Sequence, residues 1–122
     1  MTAQRILATL ALLTALGAAH AAKVIDQPER SFELSLQNLT LPSGPGGGLT
    51  VKACDTCTYS THVLSAGTSY FVNRQLVTFE DFSRIAEELR GNRRTLETTF
   101  VGVFIDVETE RVNRVTLLHN GL

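Results

Sequence analysis

The chain has no tryptophan, and only 7% of its residues are aromatic, so a base-stacking platform for single-stranded nucleic acid is not expected. It also lacks a basic excess. Eleven Lys and Arg face twelve Asp and Glu, and a nucleic-acid partner would want the balance tipped the other way. No Gly-x-Ser-x-Gly elbow occurs, and beyond the N-terminal leader the only histidines are His62 and His119, so nothing in the spacing proposes nucleophilic catalysis. The glycine-rich run Pro42 to Gly48 is not succeeded by Lys-Ser or Lys-Thr. The residues after it alternate like a strand, so it reads as a plain connection and not as a phosphate cradle. No cofactor is implied.

Long hydrophobic runs are missing too. The longest, Ile6 to Leu16, is too short to span a bilayer. It comes after Arg5 and precedes Ala19-His20-Ala21, an A-x-A cleavage pattern. Together these read as a cleaved secretory signal peptide over residues 1–21. No cysteine stands at the cut, which argues against a lipoprotein anchor. The expected address is the periplasm or full secretion, with no membrane span once the leader is removed. What remains is one domain with a modest core and little room for a deep substrate pocket. Residues 22–30 read as a flexible lead-in, and 31–122 as a single α+β domain.

The best-marked element begins at Thr78. Its hydroxyl suits an N-cap, Asp81 sits at the capping-box position, and Val77 and Phe82 are placed to staple the first turn. Phe79, Phe82, Ile85, Ala86 and Leu89 make one apolar stripe at helical spacing. Glu80 and Arg84 are four apart in the favourable order, and Gly91 suits a left-handed C-cap.

Extended segments surround this helix. Phe32, Leu34 and Leu36 alternate with polar residues, and Leu39 and Leu41 continue one residue out of phase, so a bulge or kink is expected near Gln37-Asn38. Leu49 to Cys54, Thr58 to Leu64, Ser69 to Val72 and Gln75 to Val77 read as further strands. Ser65-Ala66-Gly67 signals a hairpin, and Asn73-Arg74 a tight turn. Val101, Val103, Ile105 and Val107 share one face of a strand whose other face carries Phe100 and Phe104, the pattern of a central strand covered on both sides. Arg111 to Leu118 returns beside it. The expected fold is α+β: a small antiparallel sheet of about five or six strands packed by one amphipathic helix.

Cys54 and Cys57, as C-D-T-C, are the only cysteines. In an exported protein the leading reading is a structural disulfide, since a tight turn brings residues i and i+3 to bridging distance. Thiol–disulfide exchange is the alternative. A reactive C-x-x-C is usually set at a helix N-terminus, but the residues after Cys57 have no helical period, and Pro28, Pro42 and Pro45 all precede Cys54. A second alternative is a metal site of Cys54, Cys57 and His62, whose ligand types suit zinc or Cu(I). Arg90, Arg93 and Arg94 cluster past the helix as a candidate anion or partner patch, with Glu87, Glu88 and Glu97 near enough in sequence to pair with them locally. Asp106, Glu108 and Glu110 read as a solvated turn. The functional expectation is a non-enzymatic binding or structural protein of the cell envelope, acting on an envelope protein or small ligand.

Overall fold

The computed structural model describes residues 28–120; the expected leader lies outside them. Among the described residues the chain forms eight strands and two α-helices. The strands are β1 (Glu29–Ser35), β2 (Leu39–Thr40), β3 (Gly48–Lys52), β4 (Tyr59–Val63), β5 (Ser69–Val72), β6 (Gln75–Val77), β7 (Phe100–Asp106) and β8 (Val112–Leu118). The helices are α1 (Phe79–Arg90) and α2 (Arg93–Thr98). Strand β1 starts at Glu29, inside the stretch expected to be a flexible lead-in.

The α+β character is as expected, but the single antiparallel sheet is not. There are two sheets: a five-stranded one in the order β1-β7-β8-β5-β6, and a three-stranded one in the order β2-β3-β4. In the larger sheet β5 pairs with β8 in parallel. The cause is the helical segment between β6 and β7. Parallel strands need a crossover connection, and this helical segment supplies one between β6 and β7, which run the same way. With β5–β6 and β7–β8 each antiparallel, β5 and β8 must then run the same way.

The phase slip in the first strand has a definite form. Leu36–Asn38 is a 3-10 turn that carries the chain out of β1 and into β2 of the other sheet. Leu36 and Leu39, on either side of the slip, are both fully buried. Ser65-Ala66-Gly67 turns the chain, as expected, but does not make a hairpin. It joins β4 of one sheet to β5 of the other, with Thr68 Oγ1 donating to the Val112 carbonyl at 2.7 Å. In the glycine-rich connection, a Cβ on Gly47 would sit 2.5 Å from Pro42 Cβ, so the loop doubles back where only glycine fits.

Helix α1 is capped as its sequence asks, with Thr78 Oγ1 accepting from the Asp81 N–H at 3.1 Å. Its stripe covers the inner face of the larger sheet, where Val101, Val103, Ile105, Val115 and Leu117 are buried. Two local expectations were wrong. Gly91 is not left-handed: it has φ −65°, and the chain continues through Asn92, whose side chain caps α2 by accepting from the Arg94 N–H at 2.9 Å. Arg84 pairs with Glu88 at 3.1 Å and Asp81 at 3.6 Å rather than with Glu80.

Tyr70 packs between Phe79 and Phe82, each ring 5.4 Å away. Its hydroxyl is buried without a hydrogen-bond partner among the described residues. Burial, with Glu80 adding repulsion, pushes its pKa up to about 12. An unsatisfied buried hydroxyl costs about 1–3 kcal/mol. Tyr70→Phe, which removes the oxygen and keeps the ring, is therefore expected to raise stability by about 1 kcal/mol, read as a higher denaturation midpoint at unchanged slope.

Candidate functional site

The cysteines sit at the exposed tip of the β3–β4 hairpin. Their sulfurs are at bonding distance, their Cα atoms are 5.0 Å apart, and the Cys57 N–H donates to the Cys54 carbonyl at 3.1 Å. Cys54 is exposed and Cys57 half-buried. A strand comes after them where a reactive pair would have the first turn of a helix, so no helix dipole favours a thiolate.

His62 does not join them. It lies on β4 opposite Leu49, five residues of strand from Cys57, or about 16 Å of chain. Its side chain turns into the core, with Nε2 3.0 Å from Ser60 Oγ and the ring 5.6 Å from that of Phe32. Among the described residues no group of three His, Cys, Asp or Glu could hold a metal ion; the set Cys54, Cys57, His62 is not brought together.

Burial, reinforced by the Arg30 guanidinium and partly offset by Glu110, holds the His62 pKa below 6.5. The folded protein therefore takes up this proton less readily than the unfolded chain. The stabilisation is complete above the unfolded pKa and is lost as pH falls from 6.5 through the folded value. Denaturation midpoints measured from neutral pH into acid should fall in that window, and His62→Gln should flatten the fall. Asp106 acts in the same direction at lower pH. Its Oδ1 accepts from the N–H groups of Thr109 and Glu108 at 2.9 and 2.8 Å, which lowers its pKa.

The three arginines at and beyond the C-terminal end of α1 do not converge. The Arg90 guanidinium turns inward, donates to the Leu39 carbonyl and lies 3.7 Å from Glu87. Its role is to tie α1 to the smaller sheet. Arg93 is 91% exposed and pairs with Glu97 at 3.3 Å. Arg94 is exposed on α2. As a patch, this cluster is divided among a structural contact, a local ion pair and a lone surface cation.

The outer face of the five-stranded sheet is a feature that no sequence motif marked. The register places Phe100, Gly102 and Phe104 of β7 beside Leu118, Thr116 and Arg114 of β8, with Phe71 of β5 beside Thr116 and Leu76 of β6 beside Phe71. Neither helix covers this face: Phe100 is 64% exposed, Leu76 70% and Leu118 48%. Two shallow grooves flank the Thr116–Leu118 ridge. One, of about 360 Å³, is lined by Phe71, Arg74 and Arg114. The other, of about 350 Å³, is lined by Glu33, Phe100, Gly102 and Phe104.

Two of the charges on this face are fixed in position. Arg114 stacks 3.8 Å from the Phe104 ring centroid and pairs with Glu29 at 3.1 Å. Arg74 is fixed by the β5–β6 turn, where Asn73 and Arg74 both take positive φ, 45° and 71°, the primed turn that suits the twist of a two-residue hairpin. Among the described residues Arg74 makes no ion pair. The sequence signal for this face is the pair of apolar rows on β7. They imply cover on both sides, and the described residues supply it on one side only.

No family model, curated protein or solved structure matches this chain.

Proposed function

We propose that this chain is a small exported binding or structural domain of the cell envelope, without an enzymatic reaction of its own, in which Cys54–Cys57 staples a hairpin. The supporting observation is the setting of the sulfurs: a bonded pair in a surface β-turn that leads into a strand. Export is supported by the sequence of the leader, Arg5 through Ala21, and in an oxidising compartment such a pair persists as a disulfide. A second support is the broad, shallow and partly apolar outer side of the larger sheet, a shape suited to another macromolecule more than to a reacting small molecule.

The exposure of Cys54 favours one competing reading, thiol–disulfide exchange, and the two separate cleanly. Protein recovered from the envelope fraction should begin after residue 21. It should resist alkylation until reduced, and it should not accelerate reduction of a model disulfide substrate. Closing a four-residue loop contributes about 2 kcal/mol on the chain-entropy estimate, so the double variant Cys54→Ser, Cys57→Ser should remain folded with roughly that loss. Partners trapped as mixed disulfides by a Cys57→Ser variant, and released by reductant, would reverse the assignment.

A further inference from the structure

We infer that the outer face of the five-stranded sheet is where two copies of this chain pair, about a two-fold axis running along β8. This rests on the reading of the protein as a binding domain and names its partner at that face.

The two grooves flanking the Thr116–Leu118 ridge are of nearly equal size and opposite charge. The groove on the β5 side carries Arg74 and Arg114, while the groove on the β7 side carries Glu33. A two-fold along β8 exchanges the two sides, so the basic groove of one copy faces the acidic groove of the other. Opposite potentials brought together in this way fix register and exclude wrong pairings.

Apolar side chains meet under the same operation. Phe71 and Gly102 both flank Thr116, one on β5 and the other on β7. The axis therefore sets Phe71 of each copy over Gly102 of its mate. Gly102 itself carries no side chain, and its neighbours close over it: a Cβ there would lie 2.6 Å from Thr116 Oγ1 and 3.1 Å from the Phe104 ring. Phe71 of the mate therefore meets the Thr116 side chain and the Phe104 ring, an aromatic contact across the axis. Glu33, on β1, falls opposite Leu76 of the mate, beside Arg74. Arg114 lies close to the axis, and its charge is already met by Glu29 at 3.1 Å within the same copy. An isologous contact needs this kind of self-complementarity, and two twisted sheets stacked face to face supply the usual geometry for it.

The size of the face sets the strength. The five strands have seven, seven, seven, four and three residues; at about 3.3 Å per residue and about 4.8 Å between strands the footprint is roughly 440 Å² per copy, at the low end for specific interfaces. A face this small makes the pairing a weak, reversible one.

Sedimentation velocity on the purified full-length secreted protein, from about 1 µM to about 200 µM, should show a monomer–dimer shift across that span. Phe71→Glu should abolish it, with an unchanged far-UV spectrum confirming the fold. Glu33→Arg and Arg74→Asp (aspartate tolerates the positive φ) should each weaken the dimer roughly tenfold or more, and the double variant should restore it. That rescue is the outcome a merely sticky surface would not give. A wild-type monomer at the highest concentration, a Phe71→Glu dimer, or a failed rescue would each overturn the pairing. A monomer whose immobilised wild type, but not Phe71→Glu, retains a different envelope protein would overturn self-pairing and leave the binding role standing. A monomer that retains nothing would remove both.

Discussion

Phe82→Ala is expected to remove about half of the protein's stability while leaving it largely folded in the absence of denaturant. Phe82 is fully buried and packs 5.4 Å from the Tyr70 ring, where α1 meets the inner face of the larger sheet. Truncating a buried phenylalanine costs about 3–5 kcal/mol, because the lost transfer free energy is joined by the cavity left behind. A single domain of this size has about 5–10 kcal/mol in total. The site cannot collapse easily, because Tyr70 is held in the β5–β6 and β5–β8 ladders and Phe82 within α1. Urea unfolding monitored by circular dichroism should show a midpoint shifted far toward zero denaturant, at unchanged slope if the unfolded state is unaffected. Phe82→Leu, which keeps most of the volume, should cost under about 2 kcal/mol. Equal losses from the two variants would mean that the tilted ring contact with Tyr70, and not the filled volume, holds this region together.

That prediction draws on the part of the fold that local pattern could reveal. The N-cap at Thr78, the stripe from Phe79 to Leu89 and the alternation in β7 are all written in residues close together in sequence, at periods of 3.6 or 2. The strand boundaries of β5 and β6 come from the same signal. The identity of the neighbour is not carried by these periods. Alternation says that Phe32 and Leu34 share a face, but not that the chain leaves β1 at Leu36 to begin a second sheet. Likewise, the Ser65-Ala66-Gly67 turn is locally like a hairpin turn, and only the placement of β4 and β5 in different sheets makes it a crossing. The parallel β5–β8 pair was in principle open to inference, because a helix between two hairpins of one sheet supplies the crossover it needs, but only if one sheet holds both hairpins.

The candidate sites divide along the same line. The cysteine pair needs only four residues to define its turn, and its geometry is what the spacing describes. The arginine cluster is close in sequence and scattered in space, since helix α2 and the inward turn of Arg90 intervene. The outer sheet face shows the reverse. Glu33, Phe71, Gly102 and Thr116 come from four separate strands and form one row, and no short-range signal joins them. The apolar residues on both sides of β7 imply cover on both sides. The structure provides α1 for one side, and the inferred pairing provides a second copy for the other.

The second large effect is expected at Asn73. Its side chain behaves like an extra stretch of backbone: Nδ2 donates to the His119 carbonyl at 3.0 Å and Oδ1 accepts from the His119 N–H at 2.9 Å. With its own N–H donating to the Leu117 carbonyl at 2.8 Å, the residue extends the parallel β5–β8 ladder past the point where β5 turns away. It does so at φ 45°, a conformation that asparagine tolerates and alanine resists. Asn73→Ala should lose two hydrogen bonds worth about 1 kcal/mol each and add roughly 1 kcal/mol of backbone strain, for a total near ~3 kcal/mol. Asn73→Gly removes the strain and keeps the hydrogen-bond loss, so it should cost about 2 kcal/mol. Asn73→Asp keeps the acceptor and the tolerance for positive φ, but it sets a carboxylate against the His119 carbonyl. It should fall in the same range and improve as pH is lowered through the carboxylate range. The order Ala, then Gly, in chemical unfolding is the diagnostic, because it separates the turn's geometry from its hydrogen bonds. Hydrogen exchange adds the functional consequence: the same turn aims Arg74 along the groove, so amides from Arg74 to Val77 should lose protection in Asn73→Ala before the sheet centre does, and the dimer should weaken with them. If Ala and Gly proved equal and both cost less than about 1 kcal/mol, the side chain would be a bystander and the ladder would be closing without it.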